Sequence, residues 1–364
     1  MRSLRRTRIM LAAVTATMVA IGIVMIYSAS ALYAQETYQD SMYFLKRHLI
    51  YLACGVVGAM GLMRAPYQRL QRWSKPLVTL SILVLMAVLI PGIGHATGGA
   101  RRWFRWGPLS VQPSQCVQFI VVLYLADILA RKQVVIESFW EAIAPICGVI
   151  GVLCALIVVQ PDLGTVIAIG AVTCVLFFIA KVRWEQLVSL GLSTLPAGYV
   201  LLWHVPYRRR RILAFLNPWD DARGTGFQLV QSFLALGSGG LFGVGLGRST
   251  QKLFYLPGAH TDFIFAIIGE ELGYLGAASV VILCFLFVAL GIKIAAHAPD
   301  VFGKFLAAGL TALIGVSALI NLGVSMGAWP TKGLPLPFIS YGGSALMMNL
   351  MAVGVLLNIA RDRV

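Results

Sequence analysis

The sequence predicts an all-α polytopic membrane protein, with about ten transmembrane helices and a large extracytoplasmic loop between helices 7 and 8. Three observations carry this expectation. Hydrophobic residues make up 59% of the 364-residue chain and charged residues only 12%, with a mean hydropathy of +0.84, well outside soluble-domain usage. The apolar runs reach about 20 residues, the length that crosses a hydrocarbon core of about 30 Å. Regular alternation of apolar and polar residues is missing, which leaves the helix as the spanning element, because backbone groups in lipid must be satisfied internally.

Ten spans are expected, over residues 9–34, 48–63, 76–94, 115–130, 141–159, 163–180, 186–204, 272–292, 304–326 and 340–360. The first follows "MRSLRRTR" and contains "SASA", which imitates a signal-peptide cleavage site. Its apolar stretch is too long for a secretory h-region, so it reads as a retained anchor. Between the seventh and eighth spans lies the longest polar stretch, about 205–262. Its middle, "FQLVQSFLALGSGGLFGVGLG", is apolar but dense in glycine, which disfavours a span and favours tight bends. It reads as a short amphipathic or re-entrant segment along the outer surface. An eleventh span there is the rival, and it would exchange the sides of everything that follows. The chain, 1–364, reads as one membrane domain, with most of the candidate site expected in 205–262. Cys54, Cys116, Cys147, Cys154, Cys174 and Cys284 all fall in expected spans without CxxC spacing, and the five histidines form no pair at ligand spacing. Neither a disulfide framework nor a zinc site is implied.

The arginines of "MRSLRRTR" argue for a cytoplasmic N-terminus, and under that orientation most of the 29 Lys and Arg residues flank inner ends. The remainder cluster in two outer loops: Arg101, Arg102 and Arg105 in one, Arg208 to Arg211 with Arg223, Arg248 and Lys252 in the other. Lipid head groups would account for a lone cluster. Two clusters on one face, each beside tryptophan and glycine, point instead to an anion site, since the guanidinium fork donates two hydrogen bonds to a phosphate at once. The basic excess is thus assigned to anionic ligands and membrane lipids, with no nucleic-acid partner.

"GAHTDFIFAIIGEELG", residues 258–273, gathers three of the chain's 14 acids at one expected membrane edge. If 272–292 crosses the bilayer, Glu270 and Glu271 lie at the outer interface. Asp262 then sits about 12 Å beyond them, at about 1.5 Å per helical residue. A carboxylate there can accept a proton from a hydroxyl while the arginines hold an anionic leaving group. The alternative for Asp262, after Thr261, is a helix cap. Glu270 and Glu271 read foremost as structural partners of arginines or helix ends, and His260 as a satisfied loop histidine. One aspartate and two glutamates could hold a divalent cation such as Mg2+ or Mn2+, but no ligand set is spelled out and no metal site is assigned.

"GARRW" (99–103), "QPS" (112–114), "QPDLGT" (160–165), "GSGGLFGVGLGRSTQKLFYLPGAHTDFIFAIIGEELG" (237–273) and "PTKGLPLPFISYGGSA" (330–345) resemble the signature segments of the SEDS family. That family comprises FtsW, RodA and SpoVE, which polymerise peptidoglycan. The segments run in family order across nearly the whole chain, and "AIIGEELG" and "GLPLPFISYGG" are more similar to the division branch, FtsW and SpoVE, than to RodA. The resemblance implies ten helices in the bacterial cytoplasmic membrane, both termini cytoplasmic, an extracytoplasmic active site and lipid II as substrate. It also implies that the aspartate of "HTD", Asp262 here, is essential. Lipid II carries its sugar on an α-linked pyrophosphate and the product is β-1,4-linked, so one displacement with inversion is expected. That step needs a base on the acceptor 4-hydroxyl and positive charge on the departing undecaprenyl pyrophosphate.

Arg101 and Arg102 match the "ARRW" positions and Lys252 the "QKL" position; with Arg210, taken from the loop run, they are the expected pyrophosphate ligands. His260, Glu270, Glu271, Ser340, Tyr341 and Ser344 are expected in supporting roles. The chain departs from the family at Gln115 and Gln118, where glutamate and lysine are usual, and these are expected to form a hydrogen-bonded amide pair at helical spacing. It departs also at Gly258 and Gly98. A class B penicillin-binding protein is the expected transpeptidase partner implied by the resemblance, alongside other divisome membrane proteins. The rival readings are a flippase for the lipid-linked precursor and a non-catalytic divisome scaffold.

Overall fold

The computed structural model describes residues 2–97, 99–107, 109–253, 255–331 and 333–361, and the departure at Gly98 lies outside them. Among the described residues, twelve α-helices run in chain order. They are α1 (Arg2–Tyr38), α2 (Tyr43–Arg64), α3 (Gln68–Leu89), α4 (Pro113–Arg131), α5 (Ala144–Val159, entered through a π-helical turn) and α6 (Leu163–Ile179). After them come α7 (Trp184–Trp203), α8 (Pro206–Leu216), α9 (Phe227–Ser238), α10 (Ile264–Ala296), α11 (Val301–Ser325) and α12 (Gly343–Ile359). Eight helices among the described residues are long and apolar enough to cross a membrane, and α6 and α12 are shorter apolar helices of 17 residues each. Every expected span falls on one of these ten. Helix α9 has 12 residues, about 18 Å of rise, too short to be an eleventh.

Burial orders the bundle. Helix α4 is buried on nearly every side from Pro113 to Leu129, as an all-round apolar helix must be when it occupies a centre, and it packs on α3, α6 and α11. Helix α2 lies along α12, and α1 along α10. Helix α7 is the opposite case: none of its described residues is buried and its larger contacts are with α6 and α8, so it leaves an apolar surface uncovered, as a lipid-facing helix would. Between α3 and α4 a three-stranded antiparallel meander folds over one end of the bundle, with β1 (His95–Thr97), β2 (Ala100–Trp106) and β3 (Leu109–Val111). At the opposite end Asp127, 0% exposed, accepts hydrogen bonds from Gln71 (2.9 Å), Ser74 (2.5 Å) and Arg131 (2.6 Å), tying α3 to α4. A buried carboxylate is tolerable there because it is paired and fully hydrogen-bonded.

Helix α10 is broken at Gly273, whose φ of 68° and ψ of −167° are open only to glycine. The glycine-rich segment after α9 fills the break. The Val244 and Gly245 amides donate to the carbonyls of Glu270 (3.0 Å) and Glu271 (3.1 Å), and the Tyr274 amide donates to Gly240 (2.8 Å). Gly243 and Gly273 face each other so closely that a Cβ on either would strike backbone of the other segment. The break separates a short helix, 264–272, from a longer one, 274–296, which matches the expected division between interfacial turns and a span.

One expectation is corrected here. Gln115 and Gln118 are both buried on α4, but no hydrogen bond joins them, and the Gln118 Nε2 has no partner. Their spacing of three places both side chains on one face of α4, yet they do not bond to each other.

Candidate active site

Pro206 fits the first turn of α8, where its missing N–H costs nothing, and it converts the "RRRR" run into helix. Helical periodicity then sorts the four arginines. Arg208 and Arg211, three apart, share one face and line a cavity of about 600 Å³, while Arg209 and Arg210 are exposed on other faces. On β2 successive side chains alternate, so Arg102 lines the cavity and Arg101 is exposed. The remaining walls come from Pro161 to Gly164 at the start of α6, from Leu202 and Val205 at the end of α7, and from Pro330, Thr331 and Gly333. The 205–262 stretch is therefore one of several contributors to the lining.

Asp262 opens into this cavity from the turn before α10. That turn is closed by the Thr261 amide (3.0 Å) and the Phe263 amide (3.2 Å), both donating to the Gly258 carbonyl. Helix α10 starts without any side-chain cap bond, so Asp262 does not cap it, and among the described residues its carboxylate accepts no hydrogen bond. Burial raises its pKa to about 6, against the opposing pull of Arg211. Arg211 acts through space without a direct ion pair; its guanidinium stacks 4.6 Å over the Tyr207 ring and donates to the Thr331 carbonyl at 3.2 Å. Among the described residues, this half-buried carboxylate without hydrogen-bond partners faces two arginines across open volume, an arrangement that can accept a proton beside a bound anion.

The cavity's second carboxylate, Asp162, was not singled out from sequence. It caps α6, accepting from the Thr165 amide (3.3 Å) and hydroxyl (2.9 Å), and it accepts also from Ser114 (2.9 Å) and Gln112 (3.0 Å). The Asp-x-x-Thr spacing within "QPDLGT" is the capping signal that marks it. Arg102 braces the same corner, donating to the Gln160 (2.6 Å) and Pro161 (2.7 Å) carbonyls.

Several expected site residues are placed elsewhere. Lys252 is buried and ion-paired with Glu271 at 2.8 Å, so its ammonium is unavailable to the cavity. Arg101 and Arg210 are kept out of the lining by strand and helix periodicity. Glu271 also accepts from Ser28, and Glu270 accepts from Ser249 and from the Thr250 amide (2.9 Å) and hydroxyl (3.0 Å). With both glutamates bound into this scaffold, Asp262, Glu270 and Glu271 do not converge, and no group of three metal-ligating side chains occurs among the described residues. His260 packs among Tyr33, Phe44 and Tyr341, with ring centroids 4.5 to 5.9 Å away. Burial there pushes its pKa down to about 4, leaving it neutral.

The "ISYGGS" residues act as fasteners. The Tyr341 amide donates to the His260 carbonyl at 2.9 Å, the Ser340 hydroxyl accepts from the Leu336 amide at 2.9 Å, and the Ser344 hydroxyl accepts from the Gln112 amide at 2.9 Å. Burial of the Tyr341 ring raises its phenol to about 12.

The family model described as "Cell cycle protein" (FTSW_RODA_SPOVE) matches residues 8–364. The chain belongs to this family. Among its relatives is the "Probable peptidoglycan glycosyltransferase FtsW" of Geobacter metallireducens, 44% identical over 339 residues, covering 93% of this chain and 90% of that protein. Another is the "Stage V sporulation protein E" of Bacillus subtilis, 43% identical over 353 residues, covering 97% and 96%. The fold is similar to a chain from "Structural coordination of polymerization and crosslinking by a peptidoglycan synthase complex", with a TM-score of 0.79, 29% identity and 97% of each chain covered. It is similar also to the Rod shape determining protein RodA of Thermus thermophilus, with a TM-score of 0.71, 28% identity and coverage of 97% and 96%. This FtsW/RodA/SpoVE family member is thus a membrane protein matched along nearly its whole length.

Proposed function

We propose that the protein is a peptidoglycan glycosyltransferase that polymerises lipid II into β-1,4 glycan strands for septal wall synthesis. The observation that carries this reading is the unpartnered Asp262 carboxylate in an arginine-lined cavity, in a chain 44% identical to a probable peptidoglycan glycosyltransferase. Asp262 takes the proton of the acceptor 4-hydroxyl as that oxygen attacks the anomeric carbon of the donor. The bond from that carbon to the pyrophosphate breaks, and Arg208 and Arg211 offset the charge on the departing undecaprenyl pyrophosphate. Attack opposite the α-linked leaving group yields the β product in one step. Arg102 keeps a place near the leaving group, while Arg101, Arg210 and Lys252 do not.

The partner in this reading is a class B penicillin-binding protein, supported by the likeness to a chain of a peptidoglycan synthase complex. The end carrying Asp262 is extracytoplasmic and both termini are cytoplasmic, supported by the basic residues Arg64, Arg69, Arg72, Lys75 and Arg131 at the opposite end. The test is glycan formation from purified lipid II by the detergent-solubilised protein with its transpeptidase-inactive partner. Wild type is expected to make polymer and Asp262→Ala none at equal folding. Absence of polymer from wild type, with lipid II still crossing vesicles that bear the protein, would overturn the assignment in favour of a flippase.

A further inference from the structure

Asn321 lies on α11 at 1% exposure, one turn from the helix end. Its Nδ2 donates two hydrogen bonds, one to the Asp262 carbonyl at 2.9 Å and one to the Leu334 carbonyl at 2.8 Å. These carbonyls belong to the two segments that meet at the reacting carboxylate: the turn 258–263 and the stretch 330–341. They meet closely, for a Cβ on Gly333 would lie 3.2 Å from Asp262 Oδ2. The Asn321 Oδ1 is buried without a partner. Flipping the amide would aim that oxygen at both carbonyls, so the hydrogen-bond pattern assigns the orientation. An amide that leaves its acceptor bare while using both of its protons is retained for donation. A neutral side chain of this length that gives two protons from one atom is asparagine alone.

We infer that Asn321 is a positioning residue for the glycosyl-transfer base: its paired donation fixes the backbone of Asp262 against the 330–341 segment, so the carboxylate points into the cavity. The inference rests on the reading of Asp262 as base. The rigid support comes from α11, which is buried against α4, α6 and α10. Catalytic geometry held this way is sensitive to small displacement, because a reacting group moved by about 1 Å can cost about 100-fold in rate.

The test compares Asn321→Leu and Asn321→Asp with wild type and Asp262→Asn in lipid II polymerisation by the full protein–partner complex, measuring kcat, KM, pH profile and melting temperature. Asn321→Asp keeps the shape but can donate at most one hydrogen bond. Both Asn321 variants are expected to lose about 10- to 100-fold in kcat with KM within about threefold. Among the described residues, the titratable and charged groups lining the cavity with Asp262 are Arg208, Arg211 and Tyr207 from α8, Arg102 from β2 and Asp162 from the start of α6, while α11 contributes the neutral amide. Burial is the largest influence raising the Asp262 pKa to about 6, so a loosened, better hydrated carboxylate should move the acid limb of the profile to lower pH.

Loss of activity only in proportion to loss of folded protein, with the acid limb unmoved, would reduce Asn321 to a packing residue and overturn the inference. Wild-type kcat and acid limb in Asn321→Asp would also overturn it. Polymer from Asp262→Asn at the wild-type rate would instead overturn the base assignment itself, whatever the Asn321 variants do.

Discussion

Asp262 combines a charge-bearing group with surroundings that disfavour its charge, and the two facts together set its chemistry. In the proposed role a base is most useful with a pKa near working pH, and burial brings the Asp262 carboxylate to about 6 while Arg211 restrains the rise. The polymerisation rate should therefore fall as pH drops through about 6. In Arg211→Gln, with that restraint removed, the acid limb should move to higher pH, and an unmoved limb would show that Arg211 does not act on Asp262. The same shift has a stability sign. The folded carboxylate binds its proton more tightly than an unfolded one with a pKa of about 3.9, so stability present below pH 4 is lost as pH rises through about 6. Asp262→Asn lacks this loss. Its melting temperature should exceed that of wild type at pH 8 but not at pH 4, as differential scanning calorimetry would read.

At the scale of elements, a scaffold of buried acids holds the site without entering it. Glu270 and Glu271 sit on the short helix before the Gly273 break, and their partners come from the 249–252 segment and from Ser28 on α1. Lys252 and Glu271 are almost wholly removed from solvent, with side-chain exposures of 5% and 0%. Removing one member leaves an uncompensated charge, so Lys252→Met and Glu271→Met should each cost about 3 to 5 kcal/mol. The double variant should cost less than either, since two apolar residues leave nothing unpaired. A double-mutant cycle by thermal unfolding measures this, and simple additivity would remove the buried pair from the account. Helix α8 works at the same scale: its register decides that Arg208 and Arg211, not Arg210, meet the cavity.

Across the whole molecule the polar chemistry is divided between two ends of an apolar bundle. The cavity, the meander and the Gly273 junction occupy one end; Asp127 with Arg131, and Asp300 with Tyr67 and Gln68, occupy the other. The proposed orientation follows from that division. In a cysteine-free background, Asp220→Cys should be labelled in intact cells by a membrane-impermeant maleimide. Arg69→Cys should react only after lysis; both positions are exposed. The reverse pattern would invert the topology.

Helical spans and their approximate borders were legible in the chain itself, because lipid demands long apolar runs, and Asp262 could be singled out as a candidate because few acids interrupt them. The family signature was legible for the same reason, being carried by contiguous words such as "AHTD" and "SYGGS". Contacts across the chain were not. Gln115 and Gln118 were expected to bond and do not, since spacing on a helix places two side chains on one face without deciding which neighbours they prefer. Lys252 and Arg210 were misassigned because a run of basic residues has no direction until a helix, a strand or a buried carboxylate gives it one. The amide of Asn321, 59 residues from Asp262 in sequence, reaches the Asp262 backbone only once α11 is packed. By itself the sequence determined a multi-helix membrane protein of this family with one outstanding acid. Tertiary packing alone decided which charges are left without partners, because burial and long-range pairing, not residue type, separate the unpaired Asp262 from the bonded Glu270 and Glu271 among the described residues.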